Sequence, residues 1–491
     1  MTISIIAGER KNRLLNFSVK KISISFLVVA TLVSLLWVPN LFTKGMFMDG
    51  VYHALFAHNL VHGIGGFWTP QTADYAHPSY WDNPQLSEYF LSLWYNVLGD
   101  YYWVEKLYSL FSALIQLVLI SSLWKIYFSE RADIEKYSWL PCLLFLVIPL
   151  TSWCYSSNLM ENVMSVFTTA SVIVFLIFLR RGKNLVLYSS IGGSLIFLAL
   201  LTKGPVALFP LAVPFFFIWS EESFNWKQSF LYMTIQFAVT VAIFAFVFSM
   251  EVPKNFLQHY LKVQLLPNLN HQTKTNTTHF AILLQLLIAL SPLLVLSVIV
   301  FFINRKKVIA DKLLLSAALI FIAIGLSASI PIMLSAKQNK HYLLPSLPLF
   351  AIGFACLIFP LVKSLEEKLK KQINEKASIG IKAACLIVMS VCFCLSIKNA
   401  ASYSRDETML IDIEKIQALV ENENVIRADW SLYSDWALRV NLNRHYDKKI
   451  CMPDEIAETN FYLTKSNEWG DRLPPTAQKI YSGKKFDLYQ F

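Results

Sequence analysis

A chain of 491 residues with 55% hydrophobic and only 15% charged residues cannot clothe a water-facing surface, since ordinary globular domains carry about 25% charged residues. Aromatics at 14% and seven Cys exclude a disordered chain and a disulfide scaffold. The formal charge of +10 fits nucleic acid, acidic lipid or a topology signal, and only its distribution chooses among them.

Apolar runs long enough for a hydrocarbon core of about 30 Å fall near 22–43, 104–124, 137–155, 162–179, 185–201, 205–220, 229–249, 280–303, 313–334, 342–360 and 382–398. The expectation is a mainly α, polytopic helical bundle of about eleven spans. The first run follows Arg10, Lys11, Arg13, Lys20 and Lys21, is longer than a signal-peptide core and meets no small-residue cleavage site, so it reads as an uncleaved anchor. With the N-terminus in the cytoplasm, the inside loops collect Arg180, Arg181 and Lys183, then Arg305, Lys306, Lys307 and Lys312, then Lys363, Lys368, Lys370, Lys371 and Lys376, as the positive-inside rule requires. Counting 84–98 (PQLSEYFLSLWYNVL) as a further span would put the first basic group outside. Parity therefore lays this segment in the outer interface as an amphipathic helix.

The first extracytoplasmic loop then spans 44–103, with Lys44 its only Lys or Arg and Asp49, Asp74, Asp82, Glu88 and Asp100 among its acids. Residues 1–400 form the expected transmembrane domain. After residue 400 the runs NVIRAD (424–429), NFYLTK (460–465) and KIYSGKKFDLYQF (479–491) alternate like strands, the last as a hairpin turning at Ser482 and Gly483. The expected unit at 401–491 is a small extracytoplasmic α/β domain. No internal repeat supports a transporter built from inverted halves.

Ionisable groups near a membrane are costly, so a site should gather them on one side. Asp49 follows the first span beside Gly50 and opens a short helix; capping and general-base chemistry both suit it. Glu161 opens the fourth span, where a helix dipole also favours a carboxylate. Lys203, in LLTKGPVALFP, occupies a turn set by Gly and Pro that does not itself require a lysine; it reads as a snorkelling cation or as a lipid-phosphate contact. Lys337, Lys340, His341 and Tyr342, in SAKQNKHYLLPSLP, put basic groups in an outer loop against the topology rule, which favours anion binding. His58 and His62 share a helix face four residues apart, a metal-ligand spacing, but with no third ligand evident they read as part of an amphipathic interfacial helix. The 250–279 loop contributes Lys254, His259, Tyr260 and Lys262, and Asn276-Thr277-Thr278 fits a weak glycosylation signature. Walker, GxGxxG and HExxH motifs are absent from the sequence.

The acidic residue after the first span, the Pro-led helix ending in Gly-Asp (DNPQLSEYFLSLWYNVLGD), Glu161 at the fourth span, LTKGP at 201–205 and KHYLLPSLP at 340–348 together resemble the GT-C superfamily, over roughly residues 20–400. Within it the chain is similar to the bacterial branch of aminoarabinose transferases and relatives of protein O-mannosyltransferases. The resemblance implies an inverting glycosyltransferase that moves a sugar from a polyprenyl-phosphate donor to a lipid, glycan or protein acceptor. It implies Asp49 as general base, Glu161 in support of it, and Lys203, Lys337, Lys340, His341 and Tyr342 around the donor phosphate. Asp82, Asn83, Glu88 and His259 are the further substrate-binding candidates. Asn83 stands where many relatives carry Lys, and Glu161 where many carry Asp. No cofactor is assigned; a divalent metal stays open, since Asp82 matches a position some relatives use for one, but no metal ligand is named. The location implied is a bacterial inner (plasma) membrane, as a monomer, without nucleic acid. A transporter or flippase, and a polymerase or ligase of lipid-linked glycans, are the competing classes.

Overall fold

The computed structural model describes residues 23–72, 83–218, 224–273, 278, 280–372, 374–452, 459–468, 473 and 475–491. Asp74, Asp82 and the Asn276-Thr277 pair lie outside them. Among the described residues, seven helices are long and apolar enough to cross a membrane: Val104–Tyr127, Met160–Arg181, Trp226–Phe248, Ala281–Ile303, Lys312–Leu334, Lys340–Gln372 and Glu375–Lys398. Shorter apolar helices cover Ile24–Asn40, Leu185–Leu200 and Pro205–Phe216. All the apolar runs of the sequence thus carry helix, but several of them depart from straight spans at prolines. The run near 137–155 bends by 78° between Ala132–Val147 and Pro149–Tyr155. Pro149 lacks an N–H and forces Ile148 to an extended ψ of 115°. The first helix, α1 (Ile24–Trp37), tightens into a 3-10 turn at Pro39, and Pro205–Ala212 is 3-10 throughout, with Pro210 inside it.

The packing is that of a membrane protein. Trp226–Phe248 buries Ser229, Tyr232, Gln236 and Thr240, one polar stripe at spacings of three and four, while Phe230, Phe237 and Phe246 face outward. In lipid, burial of apolar surface drives no association, so small and polar residues make the contacts. Gln236 donates to Ser171 Oγ at 3.1 Å and Thr240 to the Gly193 carbonyl at 2.9 Å. A Cβ on Gly193 would stand 2.4 Å from the Gln236 carbonyl oxygen, so this helix pair needs glycine to close.

Between α1 and the helix Val104–Tyr127 lie α2 (Met48–Val61), the short hairpin β1 (Gly65–Gly66) and β2 (Thr69–Pro70), and α3 (Leu86–Leu98). α3 coincides with the amphipathic segment expected at 84–98. α4 (Val104–Tyr127) follows. After residue 400 a five-stranded mixed sheet forms from β3 (Val425–Ala428), β4 (Lys449–Cys451), β5 (Phe461–Lys465), β6 (Gln478–Ser482) and β7 (Phe486–Gln490), in the order β4-β3-β5-β7-β6. The β6–β7 pair is the antiparallel hairpin expected around Ser482 and Gly483. The segment leading into this sheet is stitched to the start of the first loop: the Lys44 N–H donates to the Ser402 carbonyl at 2.7 Å, and the Ser404 N–H to the Lys44 carbonyl at 2.9 Å. The Lys44 ammonium also pairs with Glu414.

Candidate active site

α2 begins where the chain leaves the first helix, with Asp49 in its first turn. Gly50 is what lets that turn seat against the 154–158 segment: a Cβ there would fall 1.9 Å from the Ser157 carbonyl oxygen. Asn158 closes the contact by donating to the Gly50 carbonyl at 3.2 Å. Three residues further on, Glu161 opens the helix Met160–Arg181. Asp49 and Glu161 are thereby carried on two elements fastened to each other.

The Lys203 Nζ lies 2.9 Å from Glu161 Oε1, with the lysine side chain 12% exposed and the carboxylate fully buried. Burial alone would pull the Lys203 ammonium down, but the Glu161 carboxylate overrides it and holds the group above the usual lysine range. Lys203 stays cationic. Its turn is shaped by Gly204 at φ +110°, where a Cβ would meet the Tyr260 hydroxyl at 2.3 Å. That hydroxyl donates to the Lys203 carbonyl at 3.3 Å. The His341 Nε2 stands between the two carboxylates, 3.8 Å from Asp49 Oδ2 and 3.7 Å from Glu161 Oε1. Lys203 also lies 4.9 Å from the centre of the Tyr342 ring.

A cavity of about 330 Å³ opens beside this cluster. Asp49, Asn83, Lys203, Lys337 and Tyr342 line it, together with His53, Gln264, Asn268 and Asn339. Lys337 reaches Gln264 Oε1 at 3.4 Å. Asp49, with a side chain 29% exposed, is the carboxylate on the cavity wall; Glu161 lies behind it, committed to Lys203.

The remaining sequence candidates are dispersed. Lys340 turns away and sits 4.1 Å over the Trp153 ring, on the side of a second cavity of about 200 Å³ lined by Phe47, Lys106, Trp153 and Arg405. Glu88 is buried and pairs with His53 at 2.8 Å. His259 is exposed on the helix Glu251–Tyr260 and is not among the residues lining the 330 Å³ cavity. The sequence reading passed over His53, although its place four residues after Asp49 puts it on the same helix face. It also passed over the amides Gln264, Asn268 and Asn339, which carry no charge signal.

The fold has counterparts among solved membrane-protein structures. It is similar to the crystal structure of ArnT from Cupriavidus metallidurans bound to undecaprenyl phosphate, at 14% identity and a TM-score of 0.64 over 94% of this chain and 97% of that one. The same protein in the apo state gives 13% and 0.63, with the same coverage. The oligosaccharyltransferase of Archaeoglobus fulgidus in the apo form is also similar, at 13% identity and a TM-score of 0.53, over 87% of this chain and 64% of that one. No family model and no curated protein matches the sequence. These identities establish the fold alone.

Proposed function

We propose that the protein is an integral-membrane glycosyltransferase that moves a sugar from a polyprenyl-phosphate donor to a hydroxyl or amine acceptor, with inversion at the anomeric carbon. The observation that carries this reading is one cavity whose wall holds a partly exposed carboxylate, Asp49, with two cations, Lys203 and Lys337. Support for the donor class comes from the ArnT structure, whose bound molecule is undecaprenyl phosphate.

Asp49 accepts the proton of the acceptor as the acceptor atom bonds to the anomeric carbon from the face opposite the phosphate. The bond from that carbon to the phosphate oxygen breaks, and its electron pair leaves with the polyprenyl phosphate. Negative charge grows on this leaving group in the transition state, so fixed cations at Lys203 and Lys337 stabilise that state more than the ground state. Glu161 holds Lys203 in place and charged, and the amides around the cavity suit sugar hydroxyls. The site faces outward from a bacterial plasma membrane, with the sheet after residue 400 on the same side and the N-terminus in the cytoplasm. The acceptor is a lipid, glycan or protein of the cell envelope.

The test is transfer by the purified chain in liposomes, from a panel of undecaprenyl-phosphate sugars to cell-envelope acceptors, with products read by mass spectrometry. Loss of a positioned general base costs about 10²–10⁴-fold, and Asp49→Asn should lose that much with normal insertion and yield. Full activity in Asp49→Asn removes the base from this position; movement of intact lipid-linked sugar without transfer makes the protein a flippase.

A further inference from the structure

We propose that the protein holds a divalent metal ion, zinc by its ligand chemistry, between His58, His62 and Asp100, separate from the transfer site. One ligand atom from each of His58, His62 and Asp100 lies within 4.8 Å of the other two. The Asp100 Oδ2 is 3.2 Å from the His62 Nε2 and in direct contact with the His58 Nδ1. A tetrahedral zinc ion with bonds of about 2.0–2.1 Å sets neighbouring ligand atoms about 3.3 Å apart; the His62–Asp100 separation already matches, and the His58–Asp100 contact would widen around an ion.

The surroundings are those that a metal ligand set needs. The His58 Nε2 lies 2.9 Å from Asp447 Oδ1, and a proton placed there leaves Nδ1 with its lone pair free for metal. A carboxylate behind a ligating imidazole is the usual way its tautomer and orientation are fixed. Arg444 takes the other oxygen of Asp100 at 2.8 Å, which leaves Oδ2 as a single-atom ligand. Asp100, Asp447 and the neighbouring Glu105 set three carboxylates against one guanidinium, because Arg444 also pairs with Glu105 at 3.0 Å. The residual two negative charges match one divalent cation. His58 and His62 lie at the C-terminal end of α2, where the helix dipole favours positive charge. His62 is half exposed, so water reaches the fourth position.

This is not the catalytic cavity. His58 follows Asp49 by nine residues on α2, which is half a turn round the helix and about 14 Å along it. Asp100 comes from the turn before α4, and Asp447 from the end of the helix Trp436–Tyr446. The ion would therefore be held within the first loop, with Asp447 of the C-terminal unit backing one of its ligands.

The probes are Zn²⁺ and Co²⁺, added to the full chain in detergent after stripping with a chelator. Bound zinc is read by elemental mass spectrometry and its affinity by competition with a chromophoric chelator. One zinc per chain is expected. Asp447→Asn, which removes only the orienting carboxylate, should weaken binding about 10- to 100-fold, and His62→Ala should abolish stoichiometric uptake. Because His62 is half exposed, that variant should fold, and its unchanged near-ultraviolet circular dichroism checks this. Co²⁺ should give the intense visible bands of a tetrahedral site in the wild type and not in His62→Ala. Wild-type uptake by His62→Ala, or no uptake by the wild type, overturns the site and leaves an imidazolium bridging two carboxylates.

Discussion

Lys203 serves as counter-ion to a buried carboxylate and as proposed phosphate ligand, and a paired substitution separates the two. Lys203→Met leaves Glu161, whose side chain is fully buried, without its nearest cation. Breaking one partner out of a buried ion pair costs about 3–5 kcal/mol, whereas replacing both with neutral groups of similar size is often close to neutral. The double variant Lys203→Met/Glu161→Gln should thus regain most of the apparent melting temperature lost by Lys203→Met, read by intrinsic fluorescence in detergent. Affinity for undecaprenyl phosphate should not return with it. A hydrogen bond to a charged group is worth about 1.5–3 kcal/mol, which corresponds to roughly 10- to 150-fold in dissociation constant. The assay is titration of undecaprenyl phosphate into the two variants and the wild type, in the same detergent. If the double variant binds the lipid phosphate as tightly as the wild type, Lys203 is a structural counter-ion and the phosphate role fails. If the double variant is as unstable as the single one, the stabilising part of the argument fails.

Gly50→Ala should disrupt the seating of α2, because its methyl group would be forced to 1.9 Å from the Ser157 carbonyl oxygen; overpacking of this kind costs about 1–3 kcal/mol or more, and transfer should fall with the melting temperature. Gly380→Ala, where no atom lies within 4 Å, is the control and should be neutral or slightly stabilising. The attachment of the sheet to the first loop should weaken in acid. Burial alone would push the Glu414 carboxyl up, but Lys44 and Tyr403 hold it below its ordinary value of 4.5. A depressed carboxylate contributes stability that is present above the unfolded value and lost as pH falls through the folded one. The hydrogen-exchange protection factors at 401–404 should therefore fall below about pH 4.5, and Lys44→Met should flatten that dependence; an unchanged profile in the variant refutes the assignment.

Much of the helical layout was legible because lipid imposes a long apolar run on each crossing. The breaks at Pro149 and Pro210 were written in the sequence, yet hydropathy alone carried the runs straight through them. Asp49, Glu161 and Lys203 could be named singly from their places beside helix ends and in the LTKGP turn. Their separations could not, because Gly50 against Ser157 and Gly204 against Tyr260 are close approaches that only the fold creates. The same limit hid the partners of His58 and His62: Asp100 lies 42 residues from His58, and Asp447 lies 389 away. No local spacing joins residues so far apart. His53 was different, since its four-residue offset from Asp49 was visible and went unused.

The ladder between residues 42–45 and 401–404 makes the last part of the chain a boundary condition for the first turn of α2. The Ala401 N–H donates to the Phe42 carbonyl at 3.0 Å, and Gly45, at φ +81°, brings its backbone so near that a Cβ would lie 2.3 Å from the Arg405 carbonyl oxygen. Only three residues separate Gly45 from Asp49. A shift of the 401–405 segment has almost no slack in which to dissipate before it reaches the carboxylate, so that segment acts on Asp49 as a rigid mount, not as a tethered appendage.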